Sequence, residues 1–93
     1  MTNNDVNTYV MKTVTVDAIL VSKDNVDNVI KFLGYSFVSV DQNKHCILFN
    51  QFGLRGVLTT SEYYLVRRNG EFHVASAHSF NNTYESVSNH EAH

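Results

Sequence analysis

The chain has 93 residues, with seven lysines and arginines against nine aspartates and glutamates, 43% apolar and 12% aromatic residues, one cysteine, and no proline or tryptophan. A formal charge of −2 lacks the basic excess that grips phosphate backbones, one cysteine makes neither an internal disulfide nor a paired-cysteine metal knot, and no apolar run approaches the roughly 18 residues of a membrane-spanning helix. One small soluble domain is the expectation, with no membrane segment, nucleic acid disfavoured as a partner, and a core too thin for a large catalytic cleft.

Residues 1–10 are asparagine-rich, with apolar groups scattered at Val6, Tyr9 and Val10, and read as a flexible arm or as an extension upstream of a start at Met11. No signal-peptide core is visible in them, which points to a cytoplasmic chain. Residues 11–87 read as a single domain and residues 88–93 as a flexible tail. Thr13–Val21 alternates β-branched and apolar residues with a period of two, the mark of a strand, and its second half, AILV, is apolar on both faces and so covered on both. From Asp24 to Gly34 the period changes. Val26, Val29, Ile30 and Leu33 fall on one helical stripe, Asp24 is placed to cap the first turn, Asp27 and Lys31 suit the dipole ends, and Gly34 supplies the left-handed stop. So short a helix is marginal alone, and its stripe must pack on a sheet.

The remainder reads as short strands: Ser36–Val40 and His45–Asn50 around the turn DQNK, then Leu54–Thr60, in which Gly56 suggests a bulge. Tyr63–Arg68 and Glu71–Ala77 are joined by Asn69-Gly70, a two-residue turn that needs positive φ twice and therefore fixes the register. Arg68 then faces Glu71, Val66 faces His73 and Tyr64 faces Ala75, while Arg67 faces Phe72 and Leu65 faces Val74. The Leu65–Val74 side, with Tyr63 and Phe72, is predicted to be core; the side carrying Tyr64, Val66, Arg68, Glu71 and His73 is predicted to be outer surface, with Arg68 paired to Glu71. Phe80 and Tyr84, four apart, suggest a helical turn that folds its rings onto the sheet edge. The fold class is α+β: one helix packed on a curled antiparallel sheet, or small open barrel, of five to six strands.

Candidate chemistry is sparse. Cys46 sits mid-strand, and alternation sends His45 to the opposite face, so it reads as an inert thiol. His90 and His93 are three apart with no third ligand, and His73 and His78 are five apart, which is no ligand spacing. Gly34, Gly53, Gly56 and Gly70 are dispersed and form no phosphate loop. Asp17 interrupts an apolar strand and reads as an edge or outward position, or as a charge kept for a partner. No metal, no cofactor and no enzymatic activity are expected.

The run VDAILVSKDNVDNVIKFLG, followed by GVLTTSEYYLVRRNGEF and then FNNTYESV, resembles a family of small accessory proteins encoded by tailed phages and prophages. The resemblance covers about residues 12–87 and rests on Ala18, Phe32 to Gly34, Tyr64 to Val66, Asn69 to Phe72, Phe80, and Thr83 to Glu85. The chain departs from the pattern at Val21 (tryptophan in many members), at Glu62 and Tyr63 (glycine and aspartate), at Ala75 and Ala77 (cysteine and proline), and in a hairpin loop one residue shorter. The resemblance implies a phage gene acting in the host cytoplasm, where such proteins often bind and block a host component.

The residues add where a host protein would be met. Of Tyr35, Phe52, Tyr63 and Tyr64, some must remain accessible on so small a core, and Tyr and Arg anchor interfaces. The predicted interaction surface centres on the Asn69-Gly70 hairpin and comprises Tyr64, Arg68, His73 and Arg55. The unguarded sheet edges also suit a homodimer. Two alternatives stand beside host-protein binding: a small-ligand binder that sequesters a nucleotide-like signal, and a minor virion structural protein.

Overall fold

The computed structural model describes residues 6–11 and 14–86. Strands β1 (Asn7–Met11) and β2 (Val14–Val21) lead to helix α1 (Val26–Leu33), which passes through a 3₁₀ turn, Gly34–Ser36, into β3 (Phe37–Asp41), β4 (Cys46–Asn50) and β5 (Leu54–Leu58). Then come β6 (Tyr63–Arg68), β7 (Glu71–Ser76), helix α2 (Ala77–Thr83) and the short β8 (Glu85–Ser86). The domain is α+β, and every strand pairing is antiparallel. The strands divide into a five-stranded sheet, ordered β7-β6-β2-β1-β8, and a three-stranded sheet, β3-β4-β5, and do not close into a barrel. Among the described residues two α-helices are present where the sequence pattern predicts one helix and one turn.

The larger core lies between the sheets and beneath α1. Ile19 and Val21 from β2, Leu65 from β6 and Phe72 from β7 meet Val29, Phe32 and Leu33 of α1 and Ile47, Phe49 and Val57 of the smaller sheet. Of the predicted stripe of α1, Val29 and Leu33 are buried and Val26 packs against them, while Phe32 joins the core in place of Ile30; Asp27 lies in the first turn and Lys31 in the last. Its cap differs. Asn25, not Asp24, precedes the first turn, and its Oδ1 accepts from the Ser22 amide (2.9 Å) while its Nδ2 donates to the Leu20 carbonyl (2.7 Å), tying the helix entry to the end of β2. Gly34 closes the helix at φ 58°, a conformation that glycine alone adopts freely.

A second core lies on the opposite face of the five-stranded sheet, and it corrects the predicted outer surface. Val66 is fully buried there with Val16, Ala18 and Phe80, and Tyr9, Tyr64, Ala75 and Tyr84 pack around them. The cause is α2. Ser76 Oγ caps it by accepting from the Ser79 amide (3.2 Å), and the helix carries Phe80 back over β6. There Phe80 stacks on Tyr64 (centroids 4.1 Å) and on Tyr84 (4.7 Å) and meets Tyr9 edge-on (4.7 Å). Tyr9 also explains a second correction. Strand β1, whose residues 7–10 are read from sequence as part of a flexible arm, pairs with β2 along its whole length, from Asn7↔Ala18 to Met11↔Val14. Its polar residues hide a strand whose inward ring is held by an element more than 50 residues away. The tail 88–93, with His90 and His93, lies outside the described residues.

Gly56 is a third correction. Its pairing with Leu48 is regular, and the bulge falls instead in β3, between Phe37 and Ser39. Glycine is required at 56 because a Cβ there would stand 2.5 Å from Cys46 Sγ and 3.3 Å from Leu48 Cδ2. Gly56→Ala therefore costs about 1–3 kcal/mol through overpacking, and adding Cys46→Ala restores most of it; urea midpoints of the two variants and the parent check this.

Candidate functional site

The β6–β7 hairpin has the predicted register, from Arg68↔Glu71 to Tyr63↔Ser76, with Asn69 at φ 53° and Gly70 at φ 80°. Its alternation decides which backbone groups β7 leaves open. Ala77 N–H donates to the Glu62 carbonyl (2.8 Å), which places Ala75, His73 and Glu71 among the residues that exchange hydrogen bonds with β6. Phe72 and Val74 then turn their N–H and C=O groups outward, along the free edge of the sheet, which ends at Ser76, the cap of α2.

Opposite that edge stands the β4–β5 turn, bound to it by one side chain. Gln51 Oε1 accepts from the Phe72 amide at 2.7 Å. The backbone of Gln51 is equally engaged: its N–H donates to the Gly53 carbonyl (2.9 Å) and its carbonyl accepts from Arg55 Nε (3.1 Å). Asn50 Oδ1 accepts from the Gly53 amide (3.2 Å) and completes the tie. The turn so fixed holds Phe52 at φ 56° with 79% of its surface exposed. An aromatic residue in the left-handed region is a costly arrangement, and nothing apolar covers it in return. Between the turn and β7 runs a groove of about 460 Å³, floored by the buried rings of Phe49 and Phe72 and walled by Phe52 and Arg55 on one side and His73 and Val74 on the other.

Two of the four predicted surface residues line this groove, and a third stands next to it. Arg55 and His73 line the groove, and His73 lies beside Arg68 and Glu71 in a smaller depression at the hairpin tip. Tyr64 does not join them; it is half-buried against Phe80 and Tyr9. Partial desolvation, followed by the charge of Arg68, holds the His73 imidazole below its usual range, so it is neutral at neutral pH. The expected Arg68–Glu71 pair is not formed. Among the described residues the ion pair that is present joins Arg67 to Asp17, at 2.8 Å, leaving Arg55 and Arg68 without a carboxylate partner. Of the four tyrosine and phenylalanine residues expected to compete for exposure, Tyr35 and Phe52 are exposed, whereas Tyr63 and Tyr64 pack.

Asp17, the charge that interrupts β2, is engaged within the fold. It accepts from Arg67 Nη2 and from Thr8 Oγ1 (2.7 Å), and the Arg67 guanidinium also lies 4.5 Å above the Phe32 ring. The hydrogen bond from Arg67 is the chief cause that keeps its carboxyl below the usual 3.8. Because the folded pKa is depressed, this stabilisation is present above about pH 4 and is lost as pH falls through and below that value. Asp17→Asn is expected to cost about 0.5–1 kcal/mol at neutral pH, the pair being partly solvated, and to match the parent near pH 2.5; urea midpoints at both pH values check this.

No family model, curated protein or solved structure matches this chain. Its chemistry must be read from its own groups. The Cys46 thiol is pushed up by burial and by the charge of Asp41, which leaves it protonated at neutral pH. Among the described residues, no three histidine, cysteine, aspartate or glutamate side chains converge, and no helix is long and apolar enough to cross a membrane.

Proposed function

We propose that this chain is a non-enzymatic, phage-encoded accessory protein that acts in the host cytoplasm by binding a host protein and modulating or inhibiting it, through the groove between the β4–β5 turn and β7. One observation carries the reading. Phe52 is held exposed, in a backbone conformation unfavourable to an aromatic side chain, at the lip of a groove with an apolar floor and an arginine wall. Strain that no packing offsets is characteristic of binding sites, and an exposed ring beside an arginine with no carboxylate partner among the described residues has the composition of an interface anchor. The phage setting rests on the resemblance of residues 12–87. The nucleotide-sequestering alternative is less well supported, because Tyr64, the tyrosine of the predicted surface, is already stacked on Phe80 and is not open to a base.

The test is affinity capture from bacterial lysate with the tagged full chain at ~0.3 M salt, where weak attraction between exposed charges is screened. A protein retained by the parent and by Tyr35→Ala, and lost by the Phe52→Ala, Arg55→Ala double variant, supports the proposal. Equal retention by the double variant refutes the site.

A further inference from the structure

We infer that the partner enters this groove as an extended segment that adds a strand to the free edge of β7, displacing the Gln51 side chain from the Phe72 amide and placing an acidic side chain on Arg55. The inference rests on the protein-binding proposal and specifies its mode.

The β7 edge presents outward donors and acceptors at Phe72 and Val74, and neither a proline nor a lysine guards it. Among the described residues, the amide of Phe72 is engaged by a side chain and the outward groups of Val74 by nothing. A primary amide oxygen on that N–H reproduces what a neighbouring strand's carbonyl would offer. Gln51 is thus a placeholder: it satisfies the first donor of the edge in the free protein and yields it to a backbone carbonyl, which makes the same bond without leaving a polar group buried. The buried rings of Phe49 and Phe72 at the groove floor offer an apolar seat to alternate side chains of the incoming strand. Charge sets the remaining preference. Among the described residues, Arg55 uses Nε on the Gln51 carbonyl and keeps its terminal nitrogens free of any carboxylate, Arg68 has no carboxylate partner at the hairpin tip, and Glu71 is the one acidic residue against two arginines around the groove. A segment carrying aspartate or glutamate complements that surface, and the two nitrogens fit a carboxylate bidentately.

The experiment selects random twelve-residue peptides against the immobilised full chain and measures the best one, synthesised, by titration calorimetry. Enrichment of peptides that alternate apolar residues and share an acidic position is expected. N-methylation at every second backbone nitrogen should weaken binding about tenfold, and at the intervening nitrogens it should not. Arg55→Gln should weaken it about tenfold, and Gln51→Ala should tighten it about two- to tenfold, since no bond to the placeholder must be broken. Failure to select any peptide, N-methylation losses without alternation, or weaker binding by Gln51→Ala each overturns strand addition. So does a concentration-dependent doubling of mass that blocks peptide binding, which would assign the edge to a second copy. If strand addition fails while the Phe52- and Arg55-dependent capture described above persists, the protein-binding site stands and its mode is wrong. If both fail, the site itself is wrong.

Discussion

Replacing Phe80 by alanine is expected to cost about 3–5 kcal/mol, the range for deleting a buried aromatic ring. The side chain is 1% exposed and contacts three other aromatic rings, so its loss leaves a cavity that α2 is too short to collapse into. For a domain of this size the whole margin is about 5–15 kcal/mol, and the melting temperature should fall by about 12 °C or more. A titration separates loss of this cluster from general destabilisation. Burial and a hydrogen bond with Tyr64 push the Tyr9 phenol up to about 12 from 10.0. A raised phenol pKa means that the neutral form stabilises the fold, fully below pH 10 and progressively less as pH rises toward 12. In Phe80→Ala, ultraviolet titration under conditions where the protein remains folded should show the Tyr9 step moving back toward 10.

Phe52→Gly is expected to act in opposite directions on stability and binding. The left-handed conformation costs a non-glycine residue about 1–2 kcal/mol, and glycine adopts it freely at an entropic cost of about 0.5–1 kcal/mol. An exposed ring loses no burial on removal, so the variant should be more stable by about 0.5–1 kcal/mol, a rise of a few degrees in melting temperature. If the ring anchors a partner, the same change should weaken association by about 2 kcal/mol, roughly 30-fold. A residue kept for folding would lower both quantities together. Calorimetric melting alongside binding measured at one temperature separates the two outcomes.

The elements legible in the sequence are those whose signal is local. Asn69-Gly70 sets the β6–β7 register because the turn geometry admits few residues, and the stripe Val26, Val29, Ile30, Leu33 identifies α1 because its period exceeds that of any strand. What escaped depends on distant partners. Nothing near NTYVM announces a strand, since its Tyr9 is inward only because Phe80 arrives to meet it. The same helix turns Val66 and Tyr64 from surface into core, an outcome that strand alternation alone cannot supply. Adjacent charges misled in a similar way: Arg68 stands opposite Glu71, but the pair that forms joins Arg67 to Asp17, fifty residues away. At the site, Arg55, His73 and Arg68 were legible as polar groups on strands with exposed faces. Gln51 was not, because its role appears only when the β4–β5 turn is brought against β7.

On this proposal the partner sits on the lip formed by Phe52. Two aromatic side chains are strongly exposed, Phe52 and Tyr35, and the second stands in the 3₁₀ turn after α1, outside the groove. Installing a photoreactive phenylalanine at each position in turn, irradiating bacterial cells that express the full chain, and resolving the adducts makes the comparison internal. One dominant adduct with a single host protein is expected from position 52 and none of that size from position 35. Equal adducts from both positions, or none from position 52, would contradict the proposal.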